Sequence, residues 1–525
     1  MNESSYVYVC AAFSAIGGLL FGYDIGVISG ILTMSHFREK FPSGLAKEGS
    51  IVSSLLAGCF FGALISGYFA DKIGRKFSIL GASIVFIVGS VLQATATTFI
   101  QLYFGRVVAG ISIGILSMIV PLYQSEISPK EIRGRLISFQ QWSITIGLAI
   151  SFWINYATEK FDSSAQWRIP LWIQNLIFHA DSFVRPSFKA FGMSFLPFSP
   201  RWLVCSDRDE EAITVLAKLR AGGDRTAEAV QKEYTEIKDN VRFEREFAAK
   251  NYSELIKKGP ENIRKRVLLG IFIQIFQQLN GINAIMYFAP QIYNNAGIDL
   301  STGINGFVNI LATVPAILWV DRWGRRATLI SGSMLMGASM LIIGSILAID
   351  GTKYFDSTLG KNFIKLDNKA SSLAVTIFIY ISVASFAYSW GPTRWIYPAE
   401  IYPLRIRGKA LSITTAFNWL FNFVLGQIVP ILLNSITWGT YIIFGIFSII
   451  MAIFVHIFYP ETKGNSLEEM DSIFGNIHPN NITISRQHYP SSSNESVHVG
   501  QQRENLRDLE RGIPEEEEED IYLST

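Results

Sequence analysis

Charge is scarce in this chain: among 525 residues, 45 are Lys or Arg and 43 are Asp or Glu, against 49% hydrophobic and 13% aromatic. So little polar surface cannot cover a soluble globule of this size, and the chain needs lipid around it. The net charge of +2 hides a segregation, because the long apolar stretches hold few ionisable groups while the end of the chain carries the acidic run Glu515 to Asp520. Nothing in that pattern supports nucleic acid as a partner. Cysteine is scarce too. Cys10, Cys59 and Cys205 fall in two apolar runs and one polar loop, which provides neither a disulfide framework nor metal-ligand spacing and argues against redox and zinc chemistry. No nucleophile–base pair, metal cluster or phosphate loop stands out, so an enzymatic role has no footing and no cofactor is expected. The first apolar stretch lacks a basic leader, is too long for a signal peptide and contains Asp24, so it reads as a retained span.

What the chain has instead is long apolar runs. Stretches of about 20 residues, the length a helix needs to cross the hydrocarbon core, recur at roughly 6–33, 50–70, 78–97, 100–123 and 136–157, with an irregular one at 168–196. Six more follow near 267–292, 301–320, 327–349, 371–397, 409–434 and 437–459. The pattern predicts an all-α membrane protein of about twelve spans in two six-helix halves, 1–197 and 266–460. Between them a charged segment, 198–265, reads as a cytosolic helical linker. A tail, 461–525, rich in Ser, Asn, Gln and Glu without an apolar face, reads as largely disordered. Lys72, Arg75 and Lys76 follow the second run and Lys130, Arg133 and Arg135 the fourth. Arg322, Arg325 and Arg326 follow the eighth, and Arg405, Arg407 and Lys409 the tenth. The positive-inside rule then puts both termini in the cytoplasm. The sequons at Asn2, Asn251, Asn481 and Asn494 all fall on that side, so no N-glycan is expected.

Those basic loops are duplicated. Asp71-Lys-Ile-Gly-Arg75-Lys76 returns as Asp321-Arg-Trp-Gly-Arg325-Arg326. Glu126-Ile-Ser-Pro-Lys-Glu-Ile-Arg133-Gly134 returns as Glu400-Ile-Tyr-Pro-Leu-Arg-Ile-Arg407-Gly408. Acids and arginines at neighbouring helix ends form ion pairs that hold one face of a bundle shut until the helices separate. This makes Asp71, Arg75, Glu126, Arg133, Asp321, Arg325, Glu400 and Arg407 candidate gate residues. Charges at any single loop could equally be headgroup anchors, a reading that four matching loops make poor. With Pro197-Phe-Ser-Pro-Arg201 after the sixth run and Pro460-Glu-Thr-Lys-Gly464 after the twelfth, the pattern resembles the sugar porter family of the major facilitator superfamily over about residues 8–470. It is most similar to the fungal monosaccharide transporters. The resemblance implies a monomeric, multi-pass transporter, expected in the plasma membrane, that carries a hexose or pentose by alternating access.

Polar groups inside membrane helices are costly unless partnered, which makes them site candidates. A sugar offers hydroxyls that donate and accept, which amides match in either sense, and an apolar face that stacks on aromatics. The richest cluster is Gln274, Gln277, Gln278, Asn280 and Asn283; amides of this kind also serve as interhelical glue. By the resemblance, Gln141, Gln277, Gln278, Asn283 and Asn309 bind the sugar, and Trp395 and Asn418 complete the pocket. Asn422, Tyr287 and Phe288 stand behind them or at a gate. Gly391 and Pro392 predict a break in the tenth span. Where animal glucose carriers have a glutamate before this tryptophan, the chain has Ala387.

Asp24, deep in the first run, would cost about 2.5 to 3.5 kcal/mol if buried alone as a carboxylate, so it needs a partner or a proton. Arg106 is the natural partner. The resemblance implies that protonation of Asp24 breaks this pair and couples a proton to sugar uptake. A facilitated-diffusion carrier and a transporter-like sugar sensor are the alternatives. In the sixth run, Asp181, Arg185 and Lys189 would together cost about 8 to 10 kcal/mol at mid-membrane. A retained intron or misplaced splice boundary accounts for that stretch better than a charged cavity lining does.

Overall fold

In hydrocarbon every backbone N–H and C=O must be bonded within its own segment, so apolar runs become helices. The computed structural model of the chain describes residues 3–42, 45–183, 196–247, 255–256, 262–283, 285, 301–356, 361–464 and 470–474. Tyr287, Phe288, Arg185 and Lys189 lie outside them, as does the side chain of Asp181.

The first half opens with α1 (Glu3–Ser14) and α2 (Ile16–Ile31), one span broken at Ala15, and the short α3 (Ser35–Lys40). Then come α4 (Leu45–Lys72), α5 (Arg75–Ala94), α6 (Phe99–Ile127), α7 (Arg133–Thr158) and α8 (Ala165–Phe183). Three helices follow outside the spans: α9 (Pro200–Cys205), α10 (Asp209–Arg220) and α11 (Glu228–Phe247). The second half holds α12 (Ile263–Leu279), α13 (Ser301–Trp323), α14 (Arg325–Ile349), α15 (Lys369–Tyr388), α16 (Trp390–Ile401), α17 (Leu404–Ser435) and α18 (Gly439–Phe458). A last turn, α19 (Met470–Phe474), comes after it. The tenth span breaks at Ser389, between α15 and α16, just before the Gly391-Pro392 pair. Two strands, β1 (Gly351–Asp356) and β2 (Lys361–Leu366), pair antiparallel from Gly351 with Leu366 to Asp356 with Lys361. The all-α reading does not foresee this hairpin, because six-residue strands leave no mark on a search for membrane-length runs.

Nine stretches among the described residues are long and apolar enough to cross a membrane. The remaining crossings, α7, α8 and α12, fall short of that standard. Of these, α7 carries Gln141 and α12 carries Gln274, Gln277 and Gln278.

Between helices in lipid there is no hydrophobic drive, and close backbone approach substitutes for it. Gly58 and Gly62 of α4 face the Val107 and Ile111 carbonyls of α6, where added Cβ atoms would sit 2.2 and 2.1 Å away. Gly110 and Gly114 of α6 face the Leu55 and Cys59 carbonyls of α4 at 2.1 and 2.2 Å. The spacing of four on both partners is one small-residue seam. The outer surfaces are the reverse of a soluble protein's: Ile446, Ile450, Ile453 and Ile457 form an exposed stripe along α18, at helical spacing, toward lipid.

At the end carrying the basic loops, α9 to α11 share a small core of Leu203, Val204, Leu216, Val230 and Ile237. Arg220 forks onto Glu233 at 2.7 and 2.9 Å and donates to the Ile127 carbonyl at the C-terminus of α6, 2.9 Å away. A cation there satisfies an otherwise orphaned carbonyl.

At the opposite end, His36 on α3 meets Asp162 of the α7–α8 loop (Nε2 to Oδ1, 2.9 Å) and Glu39 (3.3 Å). The hydrogen bond to Asp162 leads in raising the imidazole above its usual value, with the charges of Glu39 and Asp162 adding to it against desolvation. A raised His favours the folded state fully below its unfolded value of about 6.5, and the benefit is lost as pH rises through the folded value. His36→Gln is therefore expected to lower the unfolding temperature of detergent-purified protein at about pH 5.5 and to leave it unchanged at about pH 8.5. Added salt should shrink the difference. A deficit independent of pH in differential scanning fluorimetry would refute the latch.

Candidate functional site

The duplicated motifs fold into duplicated geometry. Gly74 and Gly324 start α5 and α14 at φ +83 and +90, a region closed to most side chains, and this lets Arg75 and Arg325 turn back toward α6 and α16. Arg75 places Nε (3.2 Å) and Nη2 (2.8 Å) on Glu126 Oε1. Arg325 spans Glu400 more fully, Nε to Oε2 at 3.1 Å and Nη2 to Oε1 at 2.6 Å, and also meets Asp321 at 2.8 Å. Arg75 is 3.8 Å from Asp71. In both copies the arginine of the earlier loop takes the acid of the later one. Arg407 donates instead to the Tyr402 carbonyl at 3.2 and 3.0 Å; Arg133 is buried at the start of α7.

The Pro-Glu-Thr-Lys-Gly segment completes the second copy. Glu461 accepts from the backbone N–H of Arg325 (2.8 Å) and Arg326 (3.0 Å), capping α14 with a carboxylate where its dipole is positive. Thr462 donates to Glu400 Oε2 at 2.7 Å. The two halves touch at this end. Asp321 Oδ2 accepts from the Arg135 N–H at 3.1 Å, and Gly134 makes room, since a Cβ there would lie 2.3 Å from Asp321 Oδ1. Gly408 faces Asp71 in the same manner, with 3.2 Å to Oδ1.

Midway along the bundle the amides assemble. Gln274 of α12 donates to the Arg394 carbonyl of α16 (3.1 Å). Asn418 of α17 donates to Gln274 Oε1 (2.9 Å) and Gln277 Oε1 (2.8 Å). Gln277 Oε1 also accepts from Arg394 Nη1, whose guanidinium lies over the Trp395 ring, 4.4 Å from its centre. Just beyond, Asn283 donates to Gln278 Oε1 and to Asn422 Oδ1 (3.2 Å). Gln141 of α7 lies against Gly391, where a Cβ would be 3.1 Å from its amide carbon. Asn309 is buried on α13, where its backbone carbonyl accepts from the Thr313 hydroxyl at 2.7 Å. Gln141 Oε1, Gln278 Nε2, Asn309 Oδ1 and Trp395 Nε1 are buried with no hydrogen-bond partner among the described residues, a mixture of acceptors and donors.

Asp24 and Arg106 do meet, Oδ2 to Nη2 at 3.7 Å, both fully buried. Arg106 is further held by the Ile51 carbonyl (2.7 Å) and Gln93 Oε1 (3.3 Å), and Gln174 of α8 donates to Asp24 Oδ1 at 3.3 Å. Sequence reasoning missed Gln174, Arg394, Glu461 and Thr462. Arg394 was open to the rule that picked out Asp24, an ionisable residue within a span. The role of Glu461 depends on a fold-back of 136 residues that no local pattern announces. Among the described residues no group of His, Cys, Asp and Glu could hold a metal ion.

Residues 10–474 match the family model described as sugar (and other) transporter. The chain is 40% identical over 492 residues to the MFS glucose transporter mfs1 of Aspergillus flavus, with 90% of each covered. It is 35% identical over 481 residues to the high-affinity glucose transporter of Kluyveromyces lactis, 89% of this chain and 85% of that one. Among solved structures, the proton:xylose symporter XylE of E. coli bound to 6-bromo-6-deoxy-D-glucose superposes with a TM-score of 0.73 at 28% identity, covering 90% of this chain and all of that one.

Removing one member of a buried pair leaves the other charged and unpaired, at a cost of about 3 to 5 kcal/mol. Arg325→Ala is expected to destabilise the purified protein by about that amount, Glu400→Gln by less, because a neutral amide still bonds Thr462 and Arg325. Thermal unfolding of the two variants side by side checks this ordering. Gly134→Val should displace Asp321 and part the basic-loop ends. The measurement is faster labelling of a cysteine introduced at that end by a bulky thiol reagent, and labelling no faster than in the parent would count against the contact.

Proposed function

The chain belongs to the sugar transporter family and is an integral, multi-pass membrane protein that moves sugar; we propose that it is a proton-coupled monosaccharide symporter working by alternating access. Its substrate is a hexose such as glucose or a related pentose. The observation that carries this reading is the set of buried, unpartnered acceptors and donors, Gln141 Oε1, Gln278 Nε2, Asn309 Oδ1 and Trp395 Nε1, in the middle of the bundle. Unmet hydrogen-bond capacity in lipid is costly, and a hydroxylated ring supplies both senses of partner at once. Gln277, Asn283 and Asn418 border the same amide network, and the indole of Trp395 gives the sugar's apolar face a surface.

The gate and the site divide the work. With Arg325–Glu400 and Arg75–Glu126 closed and Asp321 holding α7, the basic-loop end is shut. Opening it separates the halves around a site near the midplane. The basic loops mark that end as cytoplasmic, which places both termini inside and suits the plasma membrane. One copy of the chain contains every residue named here, so a monomer suffices.

Coupling rests on Asp24. As a carboxylate it is held by Arg106 and Gln174; once protonated it no longer attracts the guanidinium, and α2 is free to move relative to α6. Asp24→Asn mimics the protonated form. In cells lacking their own hexose carriers, the variant is expected to lose the stimulation of uptake by an inward proton gradient while retaining sugar exchange. Uptake with unchanged pH dependence would remove the proton role and leave facilitated diffusion. Alanine at Gln278, Asn283 or Asn309 should raise KM for the transported sugar about tenfold, the value of one hydrogen bond of about 1.4 kcal/mol. Competition of radiolabelled glucose uptake by other monosaccharides measures this and identifies the preferred sugar.

A further inference from the structure

Arg394 is a cation inside a membrane span, and three of its contacts lie in the amide network. It is buried on α16, one position before Trp395. Its Nη1 donates to Gln277 Oε1, its guanidinium covers the Trp395 ring at 4.4 Å, and its backbone carbonyl accepts from Gln274. Gln277 Oε1 takes a second hydrogen bond from Asn418 Nδ2 at 2.8 Å. A carbonyl oxygen has two lone pairs, and both are engaged.

From this we infer that Arg394 is a positioning residue that fixes the sense in which the site reads the sugar. With its oxygen occupied by Arg394 and Asn418, Gln277 keeps only its NH2 for a hydroxyl, so the hydroxyl it meets must accept. The same guanidinium pins the Trp395 ring by cation–π attraction, holding the indole N–H beside it in one orientation. The amides of the site, able in principle to face a hydroxyl either way, are thereby set as donor at Gln277. The sugar position read there is selected by its capacity to accept a hydrogen bond.

This inference rests on the reading of Gln277 and Trp395 as sugar-lining, and the test separates the two. The probes are deoxy and deoxyfluoro analogues of the transported hexose at each ring position, as inhibitors of uptake. Fluorine accepts but cannot donate, and hydrogen does neither. The parent is expected to bind the fluoro analogue about tenfold more tightly than the deoxy analogue at one ring position. Arg394→Leu, with Gln277 free to turn, should lose that preference and raise KM with little change in kcat, and adding Gln277→Ala to it should raise KM further without restoring the preference. Arg394→Lys, which retains a donor and a charge, should keep part of the preference. If Gln277→Ala leaves KM and the analogue profile unchanged, the site reading itself fails. If Gln277→Ala alters the profile and Arg394→Leu does not, the positioning role alone is overturned. Should Arg394→Leu fail to accumulate in the membrane, Arg394→Lys and Arg394→Met are read in its place, and a parental profile in Arg394→Met overturns the proposal equally.

Discussion

Inside hydrocarbon a polar group has no water to fall back on, and the arrangement of this molecule follows from how completely each such group is met from within. At the basic-loop end the two acids Glu400 and Glu461 are met in full. Both oxygens of Glu400 are bonded, one to Arg325 Nη2 and the other to Arg325 Nε and Thr462, and Glu461 occupies two of the four orphan N–H groups of α14. Such a cluster is stiff, and it comes apart only as a unit. In the middle of the bundle Gln141 Oε1, Gln278 Nε2, Asn309 Oδ1 and Trp395 Nε1 are without a hydrogen bond among the described residues, and this is where a hydroxylated ligand has something to gain.

The two halves are twins at the gate down to single hydrogen bonds. Tyr123, three residues before Glu126, donates to the Pro197 carbonyl, and Tyr397, three before Glu400, donates to that of Pro460. They are not identical. Ser199, which stands where the second half has Thr462, turns its hydroxyl to cap α9 by accepting from the Trp202 N–H, so Glu126 Oε2 is left without a hydrogen bond. Trp202 in turn donates to the Asp71 carbonyl at 3.1 Å and packs on Gly74. The first half thus spends this segment on docking the linker helices, and the second spends it on completing the ion pair. The second gate cluster is the better satisfied of the two.

Much of this was written in the order of residues. Length and apolarity fix helices because lipid leaves the backbone no other choice, and the repeat of Asp71 to Lys76 in Asp321 to Arg326 stands out because charge at one helix end is ordinary while the same acid–arginine pattern in both halves is not. Asp24 and Arg106 could be paired on cost alone. The sequence was less informative where partners are distant or neutral. Which acid each gate arginine would take, and that Gln174 would join Asp24, depend on how helices cross. The hairpin at Gly351–Leu366 is too short to register, and Arg394 stood unremarked beside a tryptophan that drew the attention. Amides were legible as a group, yet not as donors or acceptors, since that distinction is made by neighbours such as Asn418 from a helix about 140 residues away.

Asp24 and Arg106 belong to the first half and most of the amides to the second, so the proposed coupling requires a physical link between them. One such link is in place. Phe21, one turn before Asp24 on α2, packs edge-on against Trp419 of α17 at 5.0 Å and 76°. The Trp419 indole donates to Ser117 Oγ at 3.0 Å on α6, the helix that also carries Arg106. Trp419 follows Asn418, which holds Gln274 and Gln277. A single buried indole therefore touches both helices of the Asp24–Arg106 pair and adjoins the residue that sets the amide network. In the proposed cycle, loosening that pair would let α2 and α6 shift relative to each other, and Trp419, packed on one and bonded to the other, is the group that would carry the shift to the neighbouring amide, which is what coupling requires of the packing: two sites whose preferred arrangements of one rigid group differ.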